Sequence, residues 1–161
     1  MKKAIIFLCA IILLSPSLAF GQSEKKGAVI GTLGAGLALR TTVKPETLGS
    51  VIFDLNLINR TGLTLCFTDV TVFSIAGTSR YLMPGAGYHF MRNNWNIGGA
   101  INVAPMAGDL LIAGKINSGY YFSNNIGISG ILVYSRVAGM MGYDFSMFNA
   151  FVGVSIKLDL L

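Results

Sequence analysis

The chain has 161 residues, of which 53% are hydrophobic and only 12% are charged, and its formal net charge is +5. Soluble domains usually have a charged share of about 25%, so this composition disfavours an ordinary soluble protein. The positive charges form no dense basic run, and nucleic-acid binding is therefore unsupported. After the first 21 residues no stretch reaches the apolar length of a transmembrane helix, because the best candidate, 97–114, is interrupted by Asn102, Pro105 and Asp109.

The amino terminus has the features of a signal peptide for Sec-dependent export. A basic start precedes an apolar run, 4–14, and the small residues Ala19 and Gly21 are spaced for cleavage. This run is shorter than the roughly 20 residues that a spanning helix needs. We therefore predict a signal peptide at 1–21 and a single domain at 22–161.

The predicted domain must be stabilised without a disulfide, because Cys66 is its single cysteine. A chain that is apolar overall but lacks a continuous apolar run has to distribute its apolar residues. Alternation along β-strands is the distribution that a lipid bilayer accepts. Membrane-spanning strands are therefore the first structural expectation.

The alternation is clearest at 49–60, where Val51, Phe53, Leu55 and Leu57 point one way and Ser50, Asp54 and Asn56 the other, with Ile52 and Ile58 as exceptions. The same period predicts eight strands, at about 27–40, 49–60, 62–73, 81–92, 95–105, 110–122, 126–137 and 146–160. An even number of strands closes with both ends on one side of the membrane, and closure leaves no unpaired edge. The predicted fold is an all-β, closed, up-and-down antiparallel transmembrane barrel with an apolar outside and a polar inside.

The polar positions of the pattern define the predicted interior. Its candidate residues are Asp54, Asn56, His89, Lys115, Asn117 and Lys157. Asp54 and Lys115 lie in the middle of strands that stand opposite each other in an eight-stranded barrel. Because a charge in a narrow interior needs a partner, we expect these two side chains to meet across the lumen.

Aromatic residues cluster beside two predicted tight turns, as in an interfacial girdle. They are Tyr88, Phe90, Trp95, Tyr120 and Phe122. The turns belong to a repeat, in which the segment 87–98 returns about 32 residues later as 119–128. A hairpin is the natural unit of such a repeat.

The segment Gly85-Ala86-Gly87-Tyr88-His89-Phe90 followed by Asn93-Asn94-Trp95 resembles the periplasmic hairpin of the OmpA-, OmpX- and OmpW-like outer-membrane barrels. The resemblance implies the outer membrane of a Gram-negative-type (diderm) bacterium, with outer-membrane lipids and the barrel assembly machinery as partners. One departure concerns the carboxyl terminus. These proteins usually end on an aromatic residue, whereas this chain ends Lys157-Leu158-Asp159-Leu160-Leu161.

The inventory of chemical groups argues against an enzyme. His89 is the single histidine and no glutamate follows Glu46, so a Ser-His-Glu set is not apparent. One histidine, one mature cysteine and scattered carboxylates offer no metal-ligand spacing. We expect no catalytic residues, no metal and no cofactor.

Three functions remain in competition, and the oligomeric state is open. The first is a non-enzymatic outer-membrane barrel with a structural or interaction role, in which short outer loops at 41–48, 74–80, 105–109 and 138–145 disfavour a protruding adhesin. The second is a narrow channel for small or apolar solutes, suggested by small inward residues: Gly85, Gly87, Gly98, Ala100, Ala113 and Gly119. The third is a soluble, secreted, lipocalin-like barrel, which requires the opposite arrangement, with apolar residues inside.

Overall fold

The computed structural model describes residues 27–41, 45–106, 109–139 and 146–160. These residues form eight strands: β1 (Ala28–Thr41), β2 (Glu46–Ile58), β3 (Leu63–Ser74), β4 (Gly77–Arg92), β5 (Trp95–Met106), β6 (Asp109–Tyr121), β7 (Ile126–Gly139) and β8 (Ser146–Asp159). Neighbours in sequence pair antiparallel, and β1 also pairs with β8, so the sheet closes into a barrel. Within the described ranges, no helix has the length and apolarity needed to cross a membrane. The predicted fold class is confirmed, whereas the signal peptide predicted at 1–21 lies outside the described residues.

The barrel has two ends that differ in their connections. At the terminal end lie Gly27, Leu160 and the turns that follow β2, β4 and β6. The first of these turns is held by Asn59, whose side-chain oxygen accepts a 2.9 Å hydrogen bond from the backbone N–H of Thr61. In the second, Asn93 adopts a positive φ of 53°, a conformation that asparagine tolerates. The opposite end, called here the loop end, carries the connections that follow β1, β3, β5 and β7.

One predicted loop is much shorter than the sequence indicated. The loop placed at 74–80 is reduced to a turn at Ile75 and Ala76, because the ladder between β3 and β4 continues to Ser74 opposite Gly77. Gly77 has a φ of +135°, which a residue with a side chain rarely adopts. β4 therefore begins four residues earlier than its predicted start at 81.

The alternation separates the two faces of the wall as predicted. Large apolar side chains on the outer face are well exposed, for example Leu33 at 68% and Val152 at 67%. The two exceptions in β2, Ile52 and Ile58, point inward and are 0% and 1% exposed. An outward apolar surface of this kind is what a bilayer requires.

The interior is not uniformly polar, which corrects the expectation from sequence. Its loop-end half is an apolar layer, built from Ala38, Ile52, Val70, Val72, Met83, Ala104, Leu111, Ala113, Ile131, Val133, Val137, Met147 and Phe151. An eight-stranded barrel is so narrow that side chains fill it. Apolar residues can therefore pack inside this half as they do in a soluble core.

The hydrogen-bond ladder between β4 and β5 is incomplete. The register between these strands runs from Arg92 opposite Trp95 only to Gly85 opposite Asn102, although both strands continue towards the loop end. Pro84 and Pro105 occupy this stretch, and each removes a backbone donor. The side-chain amide of Asn102 donates a 2.9 Å hydrogen bond to the backbone carbonyl of Met83, beyond the last ladder pair. We call the stretch formed by 81–84 of β4 and 103–106 of β5 the seam.

The exposed face of β6 provides a test of the membrane-facing register. Ile116 points outward near the middle of the strand and is 62% exposed. We expect Ile116→Arg to lower the free energy of unfolding in lipid vesicles by about 2–4 kcal/mol, because arginine is costly near the bilayer midplane. Leu110→Arg, near the loop end of the same face, should cost only about 0–1 kcal/mol. Equal losses in urea titrations of the two variants would contradict this depth assignment.

Candidate functional site

An ion pair crosses the barrel between β2 and β6. The Nζ atom of Lys115 lies 2.6 Å from Oδ1 of Asp54, and both side chains are 0% exposed. The two strands stand opposite each other in the eight-strand order, so the long lysine side chain spans the lumen. This is the contact that the sequence predicted.

Neighbouring polar groups complete the hydrogen bonding of both charges. Besides Asp54, the ammonium group of Lys115 donates to Oδ1 of Asn56 at 3.0 Å and to Oγ1 of Thr68 at 3.3 Å, so its three protons have three acceptors. The carboxylate of Asp54 also accepts hydrogen bonds from Asn56 and Thr68, each at 2.6 Å. Asn102 donates to Thr68 at 3.1 Å and extends the network to β5. We call these five residues the lumen network.

Further polar residues line the lumen on the terminal side of this network. Nδ1 of His89 lies 2.9 Å from Oγ1 of Thr64, and Thr32 bonds to Ser155 at 2.8 Å. Ser155 also contacts the hydroxyl of Ser129. Beyond them, an apolar cluster closes the terminal end, formed by Ile30, Ile58, Tyr121 and Met91.

The structure brings some of the sequence-predicted interior residues together and separates others. Asp54, Asn56 and Lys115 meet in one network, while His89 and Asn117 are buried elsewhere on the inner face, at 2% and 3% exposure. Lys157 is half-buried at the terminal end, where its Nζ lies 3.4 Å from Asp159 and 5.5 Å from the centre of the Tyr121 ring.

Sequence reasoning did not identify Thr68 and Asn102 as members of the lumen network. Both occupy inward positions of the alternation, but their importance depends on which strands lie close across the lumen. Cys66 is likewise buried on the inner face, where Asn102 donates a 3.5 Å hydrogen bond to its sulfur.

The glycines that suggested a channel do not leave open space. A Cβ atom added to Gly98 would overlap the imidazole ring of His89, and one added to Gly85 would lie 2.7 Å from Cγ of Asn102. At Gly119 the corresponding atom would lie 2.6 Å from Oγ of Ser129. Neighbouring side chains therefore fill the volume that these glycines release.

The outer face carries the predicted aromatic residues near the terminal end. Trp95 and Tyr120 pair with ring centroids 5.0 Å apart, and Phe122 is 61% exposed. Phe90 is also exposed, whereas Tyr88 is half-buried. Near the loop end, the guanidinium Nε of Arg80 lies 3.0 Å from both carboxylate oxygens of Asp69.

The geometry of the described residues contains no recognisable catalytic or metal centre. His89 bonds to a threonine hydroxyl, not to a carboxylate that would orient it as a base. Across the described ranges, no group of three or more His, Cys, Asp and Glu residues is placed to hold a metal ion. The lumen network is thus the most developed polar feature that the structure shows.

Comparison with solved structures places the fold. The Neisserial surface protein A (NspA) superposes with a TM-score of 0.64 at 12% sequence identity, covering 83% of this chain and 100% of that chain. For Ail, the attachment invasion locus protein of Yersinia pestis, solved in complex with the heparin analogue sucrose octasulfate, the TM-score is 0.62 at 10% identity, with coverage of 83% and 99%. OprG from Pseudomonas aeruginosa gives 0.54 at 11% identity, with coverage of 86% and 99%.

The chain has the fold of the small eight-stranded outer-membrane barrels. The resemblance of the segment 85–95 to the periplasmic hairpin of these barrels is therefore confirmed at the level of the fold. No protein-family model and no curated protein matches the sequence.

The coupling between Asp54 and Lys115 can be measured with a double-mutant cycle. We expect Asp54→Ala and Lys115→Ala each to lower the free energy of unfolding by about 3–5 kcal/mol, because each leaves a buried charge without its partner. The double variant should lose much less than the sum of the two. Lys157→Ala, which breaks the partly exposed pair with Asp159, is the control and should cost about 0–1 kcal/mol. Small and additive losses at Asp54 and Lys115 would show a hydrated pair.

Packing against the inner glycines can be tested with two alanine variants. Gly98→Ala forces the ring of His89 away from Thr64, and we expect a loss of about 1–3 kcal/mol from overpacking. Gly114→Ala is the matched control, because its added methyl group points outward with nothing within 4 Å. That control should change stability by less than about 0.5 kcal/mol. If the two variants refold with equal stability, the lumen beside Gly98 is not filled.

Proposed function

We propose that this chain is a non-enzymatic barrel of the outer membrane of a diderm bacterium, with a structural or interaction role and without a permanent pore. The proposal rests on the contrast between the apolar outer face of the barrel wall and its filled, charge-paired inner face. Leucine, isoleucine, valine and phenylalanine cover the outside, while Asp54 and Lys115 close the lumen at 0% exposure. A wall of this kind suits lipid, and its interior offers no continuous aqueous path.

The outer surface argues against the soluble, lipocalin-like alternative. That alternative needs polar residues outside, yet Leu65, Ile116 and Val154 are among many large apolar residues that are more than half exposed there. Exposed apolar area on this scale would drive aggregation in water. Lipid is the environment that accepts it, and outer-membrane lipids are the partners that we propose.

The filled lumen argues against a permanently open channel. In a channel, water or solute has to pass the level of the lumen network. At that level the ammonium group of Lys115 donates hydrogen bonds to Asp54, Asn56 and Thr68 and blocks the path. The apolar loop-end layer closes the path on one side, and the cluster around Tyr121 closes it on the other. The barrel assembly machinery is the partner that we propose for insertion.

Two measurements on one preparation test this proposal. The expressed protein should fractionate with outer membranes and migrate differently in gels with and without boiling, as folded barrels do. Purified protein inserted into planar bilayers should show no steady conductance. A sustained, ohmic conductance of the wild type would contradict the closed lumen and favour the narrow channel. Extraction without detergent would instead support a soluble barrel.

A further inference from the structure

An acidic side chain interrupts the apolar outer face of the wall on β3. Asp69 lies in the middle of this strand, between Phe67 and Phe73, which are exposed on the same face. The other acidic residues of the described ranges lie in the lumen or at strand ends: Asp54, Glu46, Asp109 and Asp159. A charge at a lipid-facing position is costly, and such residues mark contacts with another polar group.

Arg80 of β4 neutralises this carboxylate from the outside of the barrel. Its Nε lies 3.0 Å from both carboxylate oxygens of Asp69, and its Nη2 also contacts Oδ2. The side chain of Arg80 is 69% exposed and that of Asp69 is 12% exposed, so the guanidinium covers the carboxylate. A guanidinium has five N–H donors, and Nη1 takes no part in this contact. Arg80 can therefore donate to a second acceptor outside its own barrel.

The charge balance of the pair indicates what kind of partner fits it. Arg80 and Asp69 together are neutral, and they present a donor beside an acceptor. An anionic lipid phosphate would gain the guanidinium but would also approach the carboxylate. A partner that carries one guanidinium and one carboxylate at the same depth satisfies both groups. A second copy of this chain is such a partner.

The depth of the two groups also suits a two-fold dimer. Barrels inserted in the same direction are related by an axis along the membrane normal, so equivalent residues of two copies lie at equal depth. A contact from Arg80 of one copy to Asp69 of the other therefore needs guanidinium and carboxylate at one depth. They are at one depth, because Arg80 lies opposite Thr71 in the ladder and its side chain reaches back to Asp69.

Exposed apolar side chains surround the pair. Phe53 and Leu82 are the ladder partners of Asp69, and both point outward. We call the surface formed by these residues the β3 patch: Phe53, Phe67, Asp69, Phe73, Arg80 and Leu82. Aromatic and arginine side chains at the centre of a surface, with apolar neighbours that exclude water, are typical of protein interfaces.

We propose that two copies of this barrel associate in the membrane through the β3 patch, with Arg80 of each copy bound to Asp69 of the other. Each guanidinium then bridges two carboxylates, and the four charges form one closed network within the interface. This inference rests on the membrane placement proposed above and specifies a partner for the interaction role.

Cysteine cross-linking in isolated outer membranes tests the interface. Leu82→Cys places a thiol beside the charged pair, and Leu132→Cys is the matched control on β7, which stands opposite β3. The two leucines are similarly exposed, at 46% and 45%, whereas the native Cys66 is buried. Oxidation with copper phenanthroline should give a disulfide-linked dimer of Leu82→Cys on non-reducing gels, and little dimer of Leu132→Cys. Equal cross-linking of the two variants overturns the proposed interface.

Variants of the pair in the Leu82→Cys background separate a contact between copies from one within a barrel. Asp69→Asn and Arg80→Gln should each slow dimer formation by about tenfold. The exchange of Asp69→Arg with Arg80→Asp keeps opposite charges together within a barrel and between two exchanged barrels, so it should restore the dimer. Exchanged barrels co-expressed with tagged, unexchanged ones should form few mixed dimers, because like charges would then meet. Mixed dimers in statistical proportion overturn the contact between Arg80 and Asp69.

The outcomes distinguish this proposal from the proposed function. Heat-dependent gel migration of every variant reports whether its barrel is folded. Folded barrels that cross-link equally in wild type, Asp69→Asn and Arg80→Gln overturn the dimer but not the membrane barrel. A monomer that retains phosphorylated lipid after purification, and loses it in Arg80→Gln, overturns the dimer and assigns the pair to a headgroup. A chain that does not fractionate with outer membranes contradicts the proposed function itself.

Discussion

The buried contact between Asp54 and Lys115 constrains the rest of this barrel. Two charges without solvent are tolerated only when their hydrogen bonds are complete, and completing them requires Asn56 beside Asp54, Thr68 on β3 and Asn102 on β5. These groups come from both sides of the lumen, so they meet only if the barrel closes with the observed strand number and register. The network therefore favours the observed strand register, because one misplaced strand would leave a buried charge unpaired.

The same network divides the interior into parts with different properties. On its terminal side are hydroxyl and amide side chains and a small apolar cluster that contains Tyr121. On its loop-end side the lumen is apolar, and the hydrogen-bond ladder between β4 and β5 stops short of the strand ends. The loop-end part of the wall is the less regular one, because Pro84 and Pro105 each lack a backbone donor there.

Period-two alternation predicted most of the fold because each face of the wall meets one environment. A residue such as Phe53 or Leu65 needs lipid, and its neighbours in sequence must then point inward. The pairing of Asp54 with Lys115 followed from the same counting, combined with the strand order. The start of β4 was placed late because Thr78, Ser79 and Arg80 read as loop residues, whereas the ladder to β3 continues through them.

The apolar loop-end layer could not be predicted by that reasoning. Val70 and Val72 lie at inward positions, but a pattern that assigns apolar residues to lipid treats them as irregularities. Ile52 was noted as an exception for the same reason. Whether an inward position meets water, polar groups or other apolar side chains depends on what stands across the lumen, and local periodicity does not contain that information. The partners Thr68 and Asn102 and the seam between β4 and β5 are three-dimensional consequences of this kind.

The middle of the lumen is dry and closed around Asp54 and Lys115, and the chemical reactivity of the Lys115 ammonium group is a direct measure of this. Folded protein in lipid vesicles can be treated with acetic anhydride, and the acetylation rates of Lys115 and Lys157 compared by mass spectrometry. A dry lumen predicts that Lys157, at the terminal rim, is acetylated while Lys115 remains unmodified until the barrel is unfolded. Acetylation of Lys115 at a rate similar to that of Lys157 in the folded barrel would contradict a closed lumen.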